Sequence, residues 1–391
     1  MKRFTNGLNN LRGNQVSNVL DNEKVAPLTG RRTGFAPQQA KREDLAEAGA
    51  RAHESVPGTV KVGDYVLIEC IGSGSMGTVF RAVKVSPVRS TEAGASVNRV
   101  AIKAISLEKI HKMGMTKYIQ TEIDVMRKLE EHPNVVTLMR TMLSPRRLYL
   151  VMEYCPTDLK KLIDRHGRLF EPTAKRYFKD VLCGLGHCHA NGISWRDAKP
   201  ENLLIDESDN MKLADFGFST ILRKSLNNST EYEKNTSVVG TIGYVAPEVM
   251  RGDQNGGYDA CKADVWSTGC VMLVMLTGSL PSSTPRRCVV RKVMDKSSAN
   301  DEQLRKAMDK SSANDEQHLD QEFDSRLFER VEELLEEESC DTYDVFMEFA
   351  DYLDSTYIPI EGKLVLKSML QRNPDARPTV QMVRECKWLR D

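Results

Sequence analysis

Apolar and polar positions change rhythm several times along the chain, and each change marks a change of element. Residues 1–60 have no rhythm: they are rich in Asn, Gln, Gly, Ala and charge, with few large apolar side chains. Such a stretch cannot bury enough surface to offset its ordering entropy, so it is expected to be a disordered N-terminal tail. From Asp64 the texture becomes strand-like, in Tyr65–Ile68, Thr78–Val85 and Val100–Lys103, with a loop expected over 86–98. Lys117–Glu131 then places Ile119, Ile123, Met126 and Leu129 at helical spacing, and two more strands are expected near Val135–Met139 and Leu148–Met152. Five strands and one main helix predict a small β lobe over about 64–153. Helical patterns dominate beyond Pro156, predicting a larger helical lobe over 156–391 and an α+β fold.

The late helical pattern is interrupted over about 282–355. Within this insert, residues 291–304 recur almost unchanged at 305–318, a tandem repeat of 14 residues. Two copies are too few for a solenoid. Ser298 and Ser312 each stand three residues before an Asp, a capping-box-like start, so a short exposed helical insert is expected. The following stretch, 315–354, holds 16 acidic residues against two arginines, with Leu319, Phe323, Leu327, Val331 and Leu334/Leu335 at helical spacing. A solvated amphipathic helix is the expectation, with attraction to a basic partner as the alternative.

Composition narrows the function classes. Lys plus Arg equals Asp plus Glu at 55 each, so the global charge points to no polyanionic partner. Nine cysteines are scattered without a CxxC pair, which argues against a disulfide framework and a zinc site and fits a reducing compartment. No apolar run approaches the roughly 18 residues of a membrane span. Neither nucleic acid nor a membrane span is expected, and the location expected is cytoplasmic, with the nucleus as an alternative.

The candidate chemistry begins at Gly72-Ser-Gly74-Ser-Met-Gly77-Thr-Val79, a G-x-G-x-x-G-x-V pattern. Such glycines also open dinucleotide-binding folds, but there a helix follows them. Here β-rich Val79–Val85 follows, so they bend a hairpin whose backbone amides can approach phosphate closely. Next come Val100-Ala-Ile-Lys103, Trp195-Arg-Asp197-Ala-Lys199-Pro-Glu-Asn202, Asp215-Phe-Gly217, Gly240-Thr241, Ala246-Pro-Glu248, Asp264-Val-Trp-Ser-Thr-Gly269 and Arg377. This ordered set resembles the eukaryotic protein kinase family over about residues 64–391, interrupted by the insert. The segment Cys188–Asp215 and Tyr244–Met250 look most like the calcium/calmodulin-dependent and AMP-activated kinase group.

The resemblance implies a bilobal kinase fold and transfer of the γ-phosphate of ATP, with Mg²⁺, to Ser or Thr of protein substrates. It implies Asp197 as catalytic base, Lys199 as stabiliser of the transferring group, and Asn202 and Asp215 as metal ligands. Nucleotide binding falls to Ile71, Gly72, Gly74, Gly77, Val79, Ala101, Leu204 and Lys103, with Glu122 pairing to Lys103. Taken alone, Glu122 could equally be a surface helix acid. Met152-Glu-Tyr-Cys155 looks like the gatekeeper and hinge, with backbone groups of Glu153 and Cys155 on adenine. Lys199 and Thr241 fit the serine/threonine pattern. Glu248 and Arg377 are expected to form a structural ion pair. Arg196 is expected to grip a phosphate placed on Thr236 or Ser237 by an upstream kinase. Glu201 and Asp158 lie where related kinases read basic substrate residues.

The sequence departs from the family at Trp195, where histidine is usual, and at Ala198, where leucine is usual. Trp195 is expected beneath Phe216 in a packed column with Met126 and Leu138, its bulk compensated by Ala198; a partly exposed Trp195 with an unrelated Ala198 is the alternative. Two other functions compete: a pseudokinase scaffold and a small-molecule kinase. The presence of Lys103, Asp197, Asn202 and Asp215 disfavours the first, and Thr241 with Ala246-Pro-Glu248 disfavours the second.

Overall fold

A computed structural model describes residues 16–18, 60–74, 77–85, 99–224, 232–252, 256–280, 353 and 356–390. The expected tail, except Val16–Asn18, and the loop 86–98 lie outside the described residues. So does the insert with its repeat and acidic stretch, apart from Leu353. The chain divides into two compact units, Met1–Thr116 with Thr137–Tyr154, and Lys117–Val136 with Cys155–Asp391.

The first unit is built on one sheet. Its strands are β1 (Val16–Asn18), β2 (Val60–Val62), β3 (Tyr65–Gly74), β4 (Gly77–Lys84), β5 (Arg99–Ser106), β6 (Leu138–Leu143) and β7 (Arg147–Glu153). They run in the order β1-β6-β7-β5-β4-β3-β2. The five expected strands form its middle, and β1, parallel to β6, and β2, antiparallel to β3, add one strand at each edge. The short helix α1 (Leu107–Lys112) follows β5, capped by the Ser106 hydroxyl accepting from Lys109 N.

Strict alternation sends Phe80 and Ala82 of β4, and Val100, Ile102 and Ala104 of β5, to one face. There they pack with Tyr65, Leu67, Met142, Tyr149 and Val151 into the core. Each large side chain buried this way contributes about 1.5–3 kcal/mol relative to exposure. The opposite face is left to Val79, Ala101 and Lys103.

The second unit contains α2 (Thr116–Lys128), β8 (Thr157–Asp158), α3 (Leu159–His166), α4 (Glu171–Ala190), β9 (Ile193–Ser194), β10 (Leu203–Ile205), β11 (Met211–Leu213) and β12 (Thr220–Ile221). It continues with α5 (Pro247–Met250), α6 (Ala260–Thr277), α7 (Ile360–Met369), α8 (Val380–Arg384) and α9 (Lys387–Arg390).

Helix α2, expected to go with the small lobe, groups by its contacts with this unit. The chain leaving it is fastened to β11: Leu213 N donates to Asn134 O at 3.0 Å, Val136 N to Leu213 O at 2.9 Å and Asn134 Nδ2 to Met211 O at 3.0 Å. The strand expected near Val135–Met139 accordingly starts at Leu138, because Val135 and Val136 are committed to β11.

Helix α6 forms the unit's centre, with every residue from Ala263 to Leu276 buried. Asp259 caps its start, and its end turns at Gly278, whose φ of 88° suits glycine and whose missing Cβ would lie 2.6 Å from Gly167 O. This helix corrects the expectation that no apolar run approaches a membrane span, since its 18 residues have a mean hydropathy of 1.2. Its burial shows why the hydropathy is high: it is a core helix, mostly apolar but carrying the buried Asp264, Ser267 and Thr268.

Candidate active site

In the first unit the expected nucleotide residues are set by strand register. Gly72 pairs with Val79, Val79 with Lys103 and Lys103 with Leu150, a row across four strands. Paired residues share a face, so Val79 and Lys103 stand together with Ala101, two residues from Lys103. The hairpin closes with Gly74 opposite Gly77, and Ile71 lies half-buried in its first strand.

The three glycines are not equivalent. A Cβ on Gly77 would lie 2.4 Å from Ala104 O, so packing against β5 already demands glycine there. A Cβ on Gly74 would meet nothing within 4 Å, and one on Gly72 only Val79 Cβ at 3.9 Å. Packing does not require glycine at those two positions, and the open space fits a phosphate approached by backbone. At the hinge, Glu153 N donates to Thr137 O at 3.2 Å and the Glu153 carboxylate accepts from Thr137 N at 2.6 Å.

The second unit holds Glu122, Cys155, Asp197, Lys199, Asn202, Leu204 and Asp215. Glu122 is 1% exposed on the apolar face of α2 beside Ile119, Ile123 and Met126, which rules out a surface acid. Its expected partner Lys103 belongs to the other unit, as Glu153 does relative to Cys155, and these two pairings rest on the resemblance. Cys155 is buried, and Leu204 lies in β10, opposite Asp158 of β8 and Lys212 of β11.

The catalytic loop is a closed set of hydrogen bonds. Asn202 Nδ2 donates to Asp197 Oδ2 at 2.7 Å and to Asp197 O at 3.0 Å. Thr241 Oγ1 donates to Asp197 Oδ1 at 2.7 Å and accepts from Lys199 Nζ at 2.8 Å. Lys199 Nζ also lies 3.3 Å from Asp197 Oδ2.

Burial pushes the Asp197 carboxyl above its usual range, with Lys199, Thr241 and Asn202 pulling against it. Burial works to lower the Lys199 ammonium, but Asp197, Glu201 and Asp215 outweigh it and hold its pKa raised. Because both Asn202 amide hydrogens go to Asp197, its oxygen is the group offered to a metal. Asp215, exposed and at φ 53°, supplies a carboxylate. An amide oxygen and one carboxylate are hard oxygen donors and suit a hard cation that shares phosphate oxygens.

Asp264 was noted in the sequence only as a landmark, and the structure makes it the anchor of this loop. Its buried carboxylate accepts from Ser194 Oγ (2.8 Å), Trp195 N (2.9 Å) and Arg196 N (2.7 Å), and bonds His189 Nε2 (2.8 Å). These bonds help to hold Arg196 at φ 67°, a left-handed conformation rare outside glycine. Arg196 then reaches Phe218 O at 2.7 Å through Nε and Ser237 Oγ at 2.8 Å through Nη1. Tyr258 closes the ring by donating to Ser237 O at 2.7 Å. Of the two phosphate-site alternatives, Ser237 is the one Arg196 touches.

The expected Glu248–Arg377 ion pair forms in a two-pronged geometry, 2.5 and 2.8 Å, with Arg377 buried against Trp266. Asp158 caps α3 by accepting from Lys161 N at 2.8 Å, so its expected substrate-reading carboxylate has a structural task as well. Trp195 is fully buried, 6.5 Å from Phe216 between ring centres, which overturns the partly exposed alternative. Ala198 is buried too.

The protein kinase domain family matches residues 65–389. This chain belongs to the protein kinase family. The kinase is 37% identical over 228 residues to CBL-interacting protein kinase 11 of Oryza sativa subsp. japonica, covering 58% of this chain and 42% of the relative. It is 39% identical over 228 residues to CBL-interacting serine/threonine-protein kinase 7 of Arabidopsis thaliana, covering 58% and 49%. The chain thus spans about half the length of the curated relatives it matches. These relatives fall in the wider calcium/calmodulin-dependent-related group to which the motifs pointed. Membership in the family implies ATP and a divalent metal as cofactors.

Proposed function

We propose that this chain is a serine/threonine protein kinase that uses Mg-ATP to phosphorylate protein hydroxyls. The observation that carries the reading is the Thr241 hydroxyl, which donates to Asp197 while accepting from Lys199. This arrangement fixes the base and the cation at one place, as phosphoryl transfer requires, because its loose transition state is accelerated by positioning and charge neutralisation. Bound Mg-ATP supplies the γ-phosphoryl group and most of the positive charge beside it. Asp197 would orient the incoming hydroxyl and take its proton; Lys199 would stabilise charge on the transferring oxygens; Asn202 and Asp215 would hold the metal.

The names of the relatives support a calcium-sensor protein as a partner. The Arg196–Ser237 contact supports an upstream kinase acting at Ser237, whose phosphate would receive the guanidinium. Glu201, exposed two residues beyond Lys199, supports arginine upstream of the acceptor in substrates. A cytoplasmic or nuclear location accompanies this reading. The test is transfer of label from γ-labelled Mg-ATP to a generic protein substrate, followed by phosphoresidue analysis. Phosphoserine or phosphothreonine with wild type, and neither with Asp197→Asn, is expected. No transfer by wild type carrying Ser237 phosphate would refute the reading in favour of a pseudokinase scaffold.

A further inference from the structure

Outside the catalytic loop, two histidines lie face to face. The rings of His132 and His187 are stacked, 4.4 Å between centres and 18° from parallel. His132 stands in the turn that leaves α2 and His187 in α4, both in the second unit, and both are half-buried.

Their hydrogen bonds fix which nitrogen of each ring carries a proton. Asn134 N donates to His132 Nδ1 at 3.1 Å, so that nitrogen presents a lone pair and the ring is neutral. His187 Nε2 lies 2.7 Å from Leu129 O, which can only accept, so this Nε2 carries a hydrogen. The same turn is tied to β11 through Leu213 N to Asn134 O, Val136 N to Leu213 O and Asn134 Nδ2 to Met211 O. A proton added to His132 must go to Nδ1, where it would face the Asn134 N–H. That bond would be lost, and a cation would be created against the face of a second imidazole. His187 keeps its bond in either state, since its Nε2 donates in both.

The charged groups acting on His132 are themselves basic: His187 of α4, Lys212 of β11 and Arg384 of α8. Lys212 has Asp206 at 4.0 Å, and the acids that precede His132 in the chain, Glu130 and Glu131, are exposed. Burial first, and then these basic neighbours, hold the His132 imidazole below its ordinary pKa. A histidine depressed in this way contributes stability that is complete above its unfolded value and is lost as the pH falls through the window down to its folded one.

We infer that the His132–His187 stack is a proton-operated latch: neutral, it closes the turn 129–136 onto α4 and β11, and protonation of His132 opens it. β11 runs on through Ala214 to Asp215, so opening would loosen the strand that leads into a candidate metal ligand. The inference goes beyond the kinase reading and stands or falls apart from it.

Asparagine at position 132 is the informative replacement, because its side-chain oxygen can accept from the backbone N–H two residues on without titrating. Wild type, His132→Asn and Arg384→Gln are compared as full chains between about pH 8 and about pH 5. Histidine nitrogen shifts are followed by NMR, and amide protection of 129–136 by hydrogen exchange corrected for the intrinsic rate. In wild type, neutral His132 is expected with its proton on Nε2, and protection of 129–136 should fall about two- to tenfold as His132 protonates. His132→Asn should match wild type at the upper pH and keep its protection at the lower. Arg384→Gln, which removes one basic neighbour, should move the fall to higher pH. An equal fall in His132→Asn overturns the inference, as does protonation of His132 without loss of protection, or no titration of His132 over this range. Should His132→Asn fail to fold, the wild-type shifts decide: neutral His132 with its proton on Nδ1 overturns the latch. Each of these outcomes leaves phosphoryl transfer as a separate measurement.

Discussion

In the sheet of the first unit, Gly72, Val79 and Lys103 stand in a row because strand register puts them there. In the second unit, Asp197, Lys199, Asn202 and Thr241 stand together because their side chains bond one another. The two arrangements fail differently. A register row survives a change of side chain, because backbone ladders carry it, and breaks when the backbone is forced apart. A side-chain network survives small backbone shifts and breaks when one polar group is left buried without its partner.

The sharpest break should come at the centre of the network. Asp197→Asn is expected to lower kcat by about 100- to 10,000-fold while the melting temperature stays close to wild type. A kcat near wild type in steady-state assays would remove Asp197 from its role. Asp264→Ala is next. It leaves several donors of the catalytic loop without their buried acceptor, and about 3–5 kcal/mol of stability should be lost, read from denaturant unfolding. A loss of less than about 1 kcal/mol would place the anchor elsewhere.

Backbone sensitivity in the sheet is tested by two alanines. Gly77→Ala should cost roughly 1–3 kcal/mol, because its Cβ would strike Ala104 O. Gly74→Ala should change stability by no more than about 0.5 kcal/mol, because its Cβ meets open space, and should act on nucleotide binding instead. Equal destabilisation by the two would erase the distinction.

The Trp195–Ala198 pair of the second unit concerns packing. Trp195→His alone should lower stability by about 1–3 kcal/mol through the cavity it leaves. Adding Ala198→Leu should return part of that loss in a double-mutant cycle, whereas strictly additive effects would refute the compensation.

The smallest effect concerns pH. The raised Asp197 pKa means that its ionised form carries a stability cost, absent below the unfolded carboxyl value and complete above the folded one. Activity runs the other way, since the base must be ionised. The acid limb of kcat/KM is therefore expected above the ordinary carboxylate range, and Thr241→Val, which removes a bond that lowers this pKa, should move it further up. An acid limb that moves downward in the variant would contradict the role given to the Thr241 hydroxyl.

Much of this was legible along the chain. The five central strands, the helix carrying Glu122 and the hairpin of glycines follow from local rhythm, and the loop bearing Asp197, Lys199 and Asn202 was legible through its resemblance to the protein kinase family. These are properties of neighbours in sequence, where alternation, helical spacing and turn residues act over a few positions. The apolar length of α6 was passed over along the chain, and hydropathy along a segment cannot by itself tell a helix surrounded by protein from one surrounded by lipid; α6 is mostly buried in its own unit.

What only the tertiary structure decided lies between residues far apart in the chain. Nothing local to Asp264 indicates that it accepts the backbone of Trp195 and Arg196, some 70 positions earlier. Nothing local to Ser237 separates it from Thr236, yet folding brings only Ser237 onto Arg196. Nor could the sequence say whether Trp195 would be buried. The sequence by itself determined which chemical groups the protein owns and which short elements carry them. Packing decided which of those groups meet, because hydrogen bonds and buried charge respond to distance in space, and that distance is set when the apolar faces close upon one another.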